Sequence, residues 1–84
     1  MVVEAPDAVV KRIEKDISIF SENFKQIRMG ELSDGERKIA ELAGMYAKDS
    51  GAFLAKKDYY TAFASIAYAH GLLDAIRKLK KLME

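Results

Sequence analysis

Apolar residues recur every three or four positions along almost the whole chain, and alternation of period two is hard to find. That is the α-helical period, so the chain reads as helices separated by short breaks. In the first stretch Val10, Ile13, Ile17, Phe20, Phe24 and Ile27 form one seam, with Val9 and Ile19 beside it. Lys11, Glu14, Lys15, Glu22 and Lys25 fall on the opposite face, so one side is predicted buried and the other solvated. Pro6 suits a first helical turn, because the N–H it lacks would be unpaired there. Gly30 offers the left-handed residue that ends many helices. Helix 1 is therefore predicted over about residues 7–28.

The second helix, predicted over about residues 34–56, opens on Ser33-Asp34-Gly35-Glu36. This is a capping box: the serine oxygen accepts from the Glu36 N–H, and the Glu36 carboxylate reaches back to Ser33. Ile39, Leu42, Ala43, Tyr46, Ser50, Phe53 and Leu54 make its apolar face. Ala40, Gly44, Ala47 and Gly51 form a row of small residues beside it. An interior glycine costs about 1 kcal/mol relative to alanine, so a packing reason is expected, with Gly71 of the third helix crossing closely here. The competing reading is that Asp49-Ser50-Gly51 breaks the helix. Lys56 and Lys57 suit a helix C-terminus, and Asp58 suits the N-cap of the next helix.

Helix 3, predicted over about residues 59–83 and expected to be the longest, carries two apolar groups. Ala62, Phe63, Ile66, Ala69, Leu73 and Ile76 form one; Ala64, Tyr68, Leu72, Ala75, Leu79 and Leu82 form the other. Only Asp74, Arg77, Lys78 and Lys81 make a strongly polar arc. A helix apolar over roughly 250° is buried on more than one side, so helix 3 is the expected hub. Short connections force antiparallel neighbours. The fold class is all-α, an antiparallel up-down-up three-helix bundle formed by one domain over residues 1–84.

Composition narrows the function more than it defines it. Half of the 84 residues are hydrophobic and 32% are charged, a globular mixture. A formal net charge of +1 provides no overall field to attract nucleic acid or a membrane surface. The absence of cysteine excludes disulfides and thiolate metal sites and fits a reducing compartment. The N-terminus lacks the apolar core of a signal peptide, and no run approaches the roughly 20 apolar residues of a membrane span. A cytoplasmic protein without membrane association is the expectation.

Asp58-Tyr59-Tyr60-x-x-Phe63 and Ile66-Ala67-Tyr68-Ala69-His70-Gly71-Leu72-Leu73-Asp74-Ala75 resemble an archaeal family described as domain of unknown function 357. The resemblance is densest over residues 58–75, and Leu72 stands where the family pattern often has tryptophan. It implies a small helical bundle in an archaeal cytoplasm and brings no activity, cofactor or catalytic residue. The Asp58-Tyr59-x-x-Ala62 segment is similar to the second helix of tetratricopeptide repeats, but no repeat period accompanies it. Helical nucleases of the HEPN type place an arginine before a histidine; here His70 precedes Arg77, which argues against that activity.

Three groups of side chains are candidate sites. His70 and Asp74, one turn apart, could orient one another for proton transfer, although the bland reading is a structural histidine hydrogen-bonded to Asp74. With no second histidine and no cysteine to converge on them, no metal site and no cofactor is expected. Arg77, Lys78, Lys80 and Lys81 form a basic cluster that could meet phosphates, with tyrosines to stack on bases. The favoured alternative is that these cations stabilise a helix C-terminus, the tyrosines being core residues with hydroxyls at the rim. Tyr68, Leu72, Leu79 and Leu82 share one side of helix 3 and exceed the stripe that two neighbouring helices need, the competing reading being that a tilted helix 1 covers this side. The leading function is therefore a non-enzymatic protein-interaction or dimerisation module, its partner a second copy or a foreign helix. An RNA-associated protein using the basic end of helix 3 is the second reading, and an enzyme centred on His70 and Asp74 the third. No small-molecule ligand is evident.

Overall fold

Three helices and one short turn of 3-10 helix account for most of residues 6–82, the part that the computed structural model describes. They are α1 (Pro6–Phe24), α2 (Asp34–Ala55) and α3 (Tyr59–Leu79), with the 3-10 turn at Met29–Glu31. No strand occurs among the described residues. Asp16 of α1 meets His70 of α3, and Arg12 meets Phe63, so these two helices run in the same direction. The α2/α3 contacts run the other way: Ser50 with Ala62, Tyr46 with Tyr68, Glu36 with Lys80. The arrangement is the expected up-down-up bundle, about 45 × 24 × 20 Å.

The local signals act as the sequence implies at both helix starts. Ser33 accepts from the Glu36 N–H at 3.1 Å, and the Glu36 carboxylate accepts from the Ser33 N–H at 2.9 Å. Asp58 caps α3 by accepting from the Thr61 N–H at 3.2 Å. Residues 49–51 remain helical, and the Ser50 hydroxyl donates to the Ala62 carbonyl at 2.7 Å, which fastens α2 to α3. Ala40 and Ala43 on α2 and Ala62 and Ala69 on α3 are fully buried, so the two backbones meet over small side chains. Ile13, Phe20, Ile66, Leu73 and Ile76 complete the core. Burying each of these larger side chains contributes roughly 1.5–3 kcal/mol.

The helix ends differ from expectation. Helix 1 stops at Phe24, not at residue 28. The bonds from Gln26 N–H to Asn23 and from Ile27 N–H to Phe24 tighten to three-residue spacing, and the chain folds over the end of the bundle. Ile27 and Leu32 are buried by that turn, so the apolar seam continues past the end of the helix. Gly30 lies within the 3-10 turn and is not left-handed. The left-handed residues are Lys57 (φ 64°) and Lys81 (φ 58°). At each, paired backbone bonds close a Schellman cap: Asp58 N–H to Phe53 and Lys57 N–H to Leu54, then Leu82 N–H to Arg77 and Lys81 N–H to Lys78. Helix 3 thus ends at Leu79 instead of continuing to residue 83, which lies outside the described residues. Helix 3 is also not the longest: α1, α2 and α3 have 19, 22 and 21 residues.

The expected glycine crossing is absent. A Cβ on Gly44 would lie 3.8 Å from the Phe24 ring, ordinary contact with α1, whereas Gly51 and Gly71 have nothing within 4 Å. Both of the latter are exposed, because the α2/α3 contact runs through the alanines and Ser50.

Candidate functional site

His70 turns away from Asp74 and toward α1. Its Nε2 lies 2.8 Å from the Asp16 carbonyl oxygen. A carbonyl only accepts, so Nε2 carries the proton and donates. The ring meets Phe20 edge-on, with centroids 5.7 Å apart, and is partly buried. Asp74 instead accepts from Arg77 Nη1 at 3.2 Å. The expected His70–Asp74 hydrogen bond is therefore replaced by two separate contacts, one clasping α1 to α3 and one within α3. Among the described residues no group of three or more histidine, aspartate or glutamate side chains is placed to hold a metal ion.

The basic cluster is divided as well. Arg77 is only 13% exposed and holds Asp74. The Lys80 ammonium lies 2.9 Å from the Glu36 carboxylate and donates to the Glu31 carbonyl at 3.3 Å, joining the end of α3 to the start of α2. The Glu36 carboxyl is held below its ordinary value, first by the Ser33 backbone N–H and next by Lys80. Lys78 and Lys81 remain exposed. The tyrosines are not gathered with these cations or buried as expected. Tyr59 and Tyr60 line an open cleft of about 250 Å³ with Val9, Arg12 and Phe63 at the other end of α3. Tyr60 is 87% exposed. A helix of this length separates the two ends by roughly 30 Å.

The third candidate set is Tyr68, Leu72, Leu79 and Leu82. Taking buried Ala43 of α2 and Ala69 of α3 as the mutual contact directions, with about 100° per residue, each helix has two flanks. Gly44 of α2 and His70 and Phe63 of α3 fall on one flank, which α1 covers through Phe24, Asp16 and Arg12. Tyr68, Leu72 and Leu79 fall on the other. Tyr68 is 51% exposed and Leu79 66%, Leu72 is half-buried, and Leu82 is exposed just past the helix end.

Sequence reasoning missed the contribution of α2 to this flank. The apolar period of α2 predicts Ile39 and Leu42 on a buried face, yet both are exposed there, and Tyr46 meets Tyr68 edge-on with centroids 4.7 Å apart. Their position was readable only once the side taken by α1 was known. No helix among the described residues is long and apolar enough to cross a membrane. No protein of curated function matches the chain. Residues 15–82, which span all of α2 and α3 and about half of α1, match the family described as protein of unknown function (DUF357), and the chain belongs to that family.

Proposed function

We propose that the protein is a non-enzymatic protein-interaction module whose working surface is the flank of the α2/α3 hairpin opposite α1. One observation carries this reading. Ile39, Leu42, Tyr68 and Leu79 remain exposed on adjacent helices, with Tyr46 and Leu72 half-buried between them. Contiguous exposed apolar surface of this kind marks interaction sites more often than it marks a free surface. The groove between two helices is also the seat that α1 occupies on the opposite side, so its shape suits a further helix.

The polar groups favour no chemistry over this. His70 and Asp74 serve separate structural contacts, and Arg77 and Lys80 hold partners within the chain. An archaeal cytoplasmic setting accompanies the proposal, supported by the family resemblance and by the lack of cysteine.

Light scattering over a concentration series tests the reading. The wild type is expected to exceed monomer mass, and Leu42→Glu with Leu79→Glu to remain monomeric with unchanged helix content. A monomeric wild type whose fold collapses on these substitutions would place the leucines in the core and end the proposal.

A further inference from the structure

We infer that the open cleft between the N-terminal ends of α1 and α3 binds single-stranded nucleic acid, one base stacking on Tyr60 while the adjoining phosphate meets Arg12. This surface lies apart from the flank opposite α1 and does not depend on the reading given to that flank.

The aromatic half of the site comes from α3. Tyr59, Tyr60 and Phe63 line the cleft with Val9 and Arg12 of α1, and its volume is about 250 Å³. Tyr60 is 87% exposed and Phe63 37%. Apolar surface left in water adds nothing to the hydrophobic drive for folding, so the bundle gains little from an aromatic ring at position 60. A bare ring does offer a face on which any base can stack.

The cationic half comes from α1. The Arg12 guanidinium carbon lies 5.0 Å from the centre of the Phe63 ring. That contact holds the cation beside the aromatic rings without neutralising it. Arg12 forms no ion pair among the described residues, although half-buried Asp16 stands one turn away on the same helix. A cation held against bare aromatic rings and left without a carboxylate matches the phosphate and the base of one nucleotide. The tyrosines, separated from the basic end of α3, thus find their cation on another helix.

The surrounding charge agrees. At 100° per residue, Lys15 falls roughly 60° from Arg12 on the edge of α1, whereas Asp7 and Glu14 fall roughly 140° and 160° away. Lys15 is exposed and, among the described residues, also without an ion pair. Residues 59–73 contain no aspartate or glutamate, and the Asp58 carboxylate before them accepts from the Thr61 N–H. Aromatic clefts also take proline-rich peptides, but such a peptide leaves both cations at the rim without a partner. The formal net charge of +1 supplies no general attraction, so stacking and about two phosphate contacts carry the binding.

Fluorescence anisotropy of labelled oligouridylate and oligothymidylate, titrated with the full chain at low salt, tests the site. Both strands are expected to bind, and a duplex to bind at least about tenfold more weakly because its base faces are covered. Tyr60→Ala is expected to raise Kd about tenfold, and Tyr60→Phe to leave it near wild type, because stacking uses the ring and not the hydroxyl. Arg12→Gln is expected to raise Kd about tenfold and to reduce the slope of log Kd against log salt by about 0.7, the share of one phosphate contact. Both positions are exposed, so helix content is expected to stay unchanged in each variant. Lys78→Ala with Lys81→Ala, roughly 30 Å away at the other end of α3, should leave Kd unaltered. Failure of either strand to bind overturns the site, and so does binding that the lysine pair weakens and Tyr60→Ala does not. Uridine monophosphate binding as tightly as the strand, or a proline-rich peptide binding in its place, contradicts the assignment of the ligand.

Discussion

The two flanks of the α2/α3 hairpin have similar side chains and different fates. On one, Ile66 and Leu73 are fully buried because α1 lies across them, located by the His70–Asp16 contact and by Phe24 over Gly44. On the other, Tyr68 and Leu79 have no third helix over them and are more than half exposed. Apolar character alone therefore does not assign a residue to the core. What differs is a covering element, and that depends on where a chain distant in sequence returns. A hairpin that is apolar on both sides is half-satisfied by α1, and its second side is the place to look for a partner.

The sharpest way to break this comparison is to truncate one leucine on each flank. Leu73→Ala is expected to cost about 2–5 kcal/mol, from lost burial and the cavity left behind. Leu79→Ala should change monomer stability by no more than about 0.5 kcal/mol, as for other surface sites. Urea denaturation of dilute protein measures both, and equal losses would mean that the open flank belongs to the monomer core. A smaller effect concerns the caps. Ser33→Ala should cost about 1 kcal/mol by removing the acceptor for the Glu36 N–H. Lys57→Gly should stabilise by up to about 1 kcal/mol, since glycine adopts a positive φ without the crowding of a Cβ; a lower denaturation midpoint would contradict that account of the cap.

The smallest expected change is with pH. Glu36 has its carboxyl lowered in the folded state from an ordinary value of 4.5. Its contribution is therefore fully present above that value and is lost as pH falls through the folded value below it. Denaturation midpoints of wild type and Glu36→Gln should converge as the solution is acidified below pH 4.5. A gap that persists to the lowest pH would assign the difference to packing instead of charge.

Much of the architecture was legible because its causes are local. The Ser33–Glu36 box and the Asp58 cap depend on neighbours three residues away, and the helical period of α1 names Ile13 and Phe20 as core directly. The helix ends were less legible. Ile27 keeps the period although it is buried from a turn, and lysines occupy left-handed caps where glycine would have been the signal. The candidate site was half legible. Excess apolar surface on α3 pointed to Tyr68 and Leu79, but the share contributed by Ile39 and Leu42 depends on which side of α2 receives α1. The partner of His70 was hidden for the same reason: Asp74 is one turn away in sequence, whereas the Asp16 carbonyl arrives from another helix.

The central claim is that the flank opposite α1 is built to be covered. Backbone amide NMR spectra recorded over a concentration series test it most directly. Concentration-dependent shifts are expected to be confined to the open flank, at Leu42, Tyr68, Leu72 and Leu79, with none at Glu14 and Glu22 on the solvated side of α1. Shifts centred on α1, or a spectrum unchanged at every concentration, would contradict it.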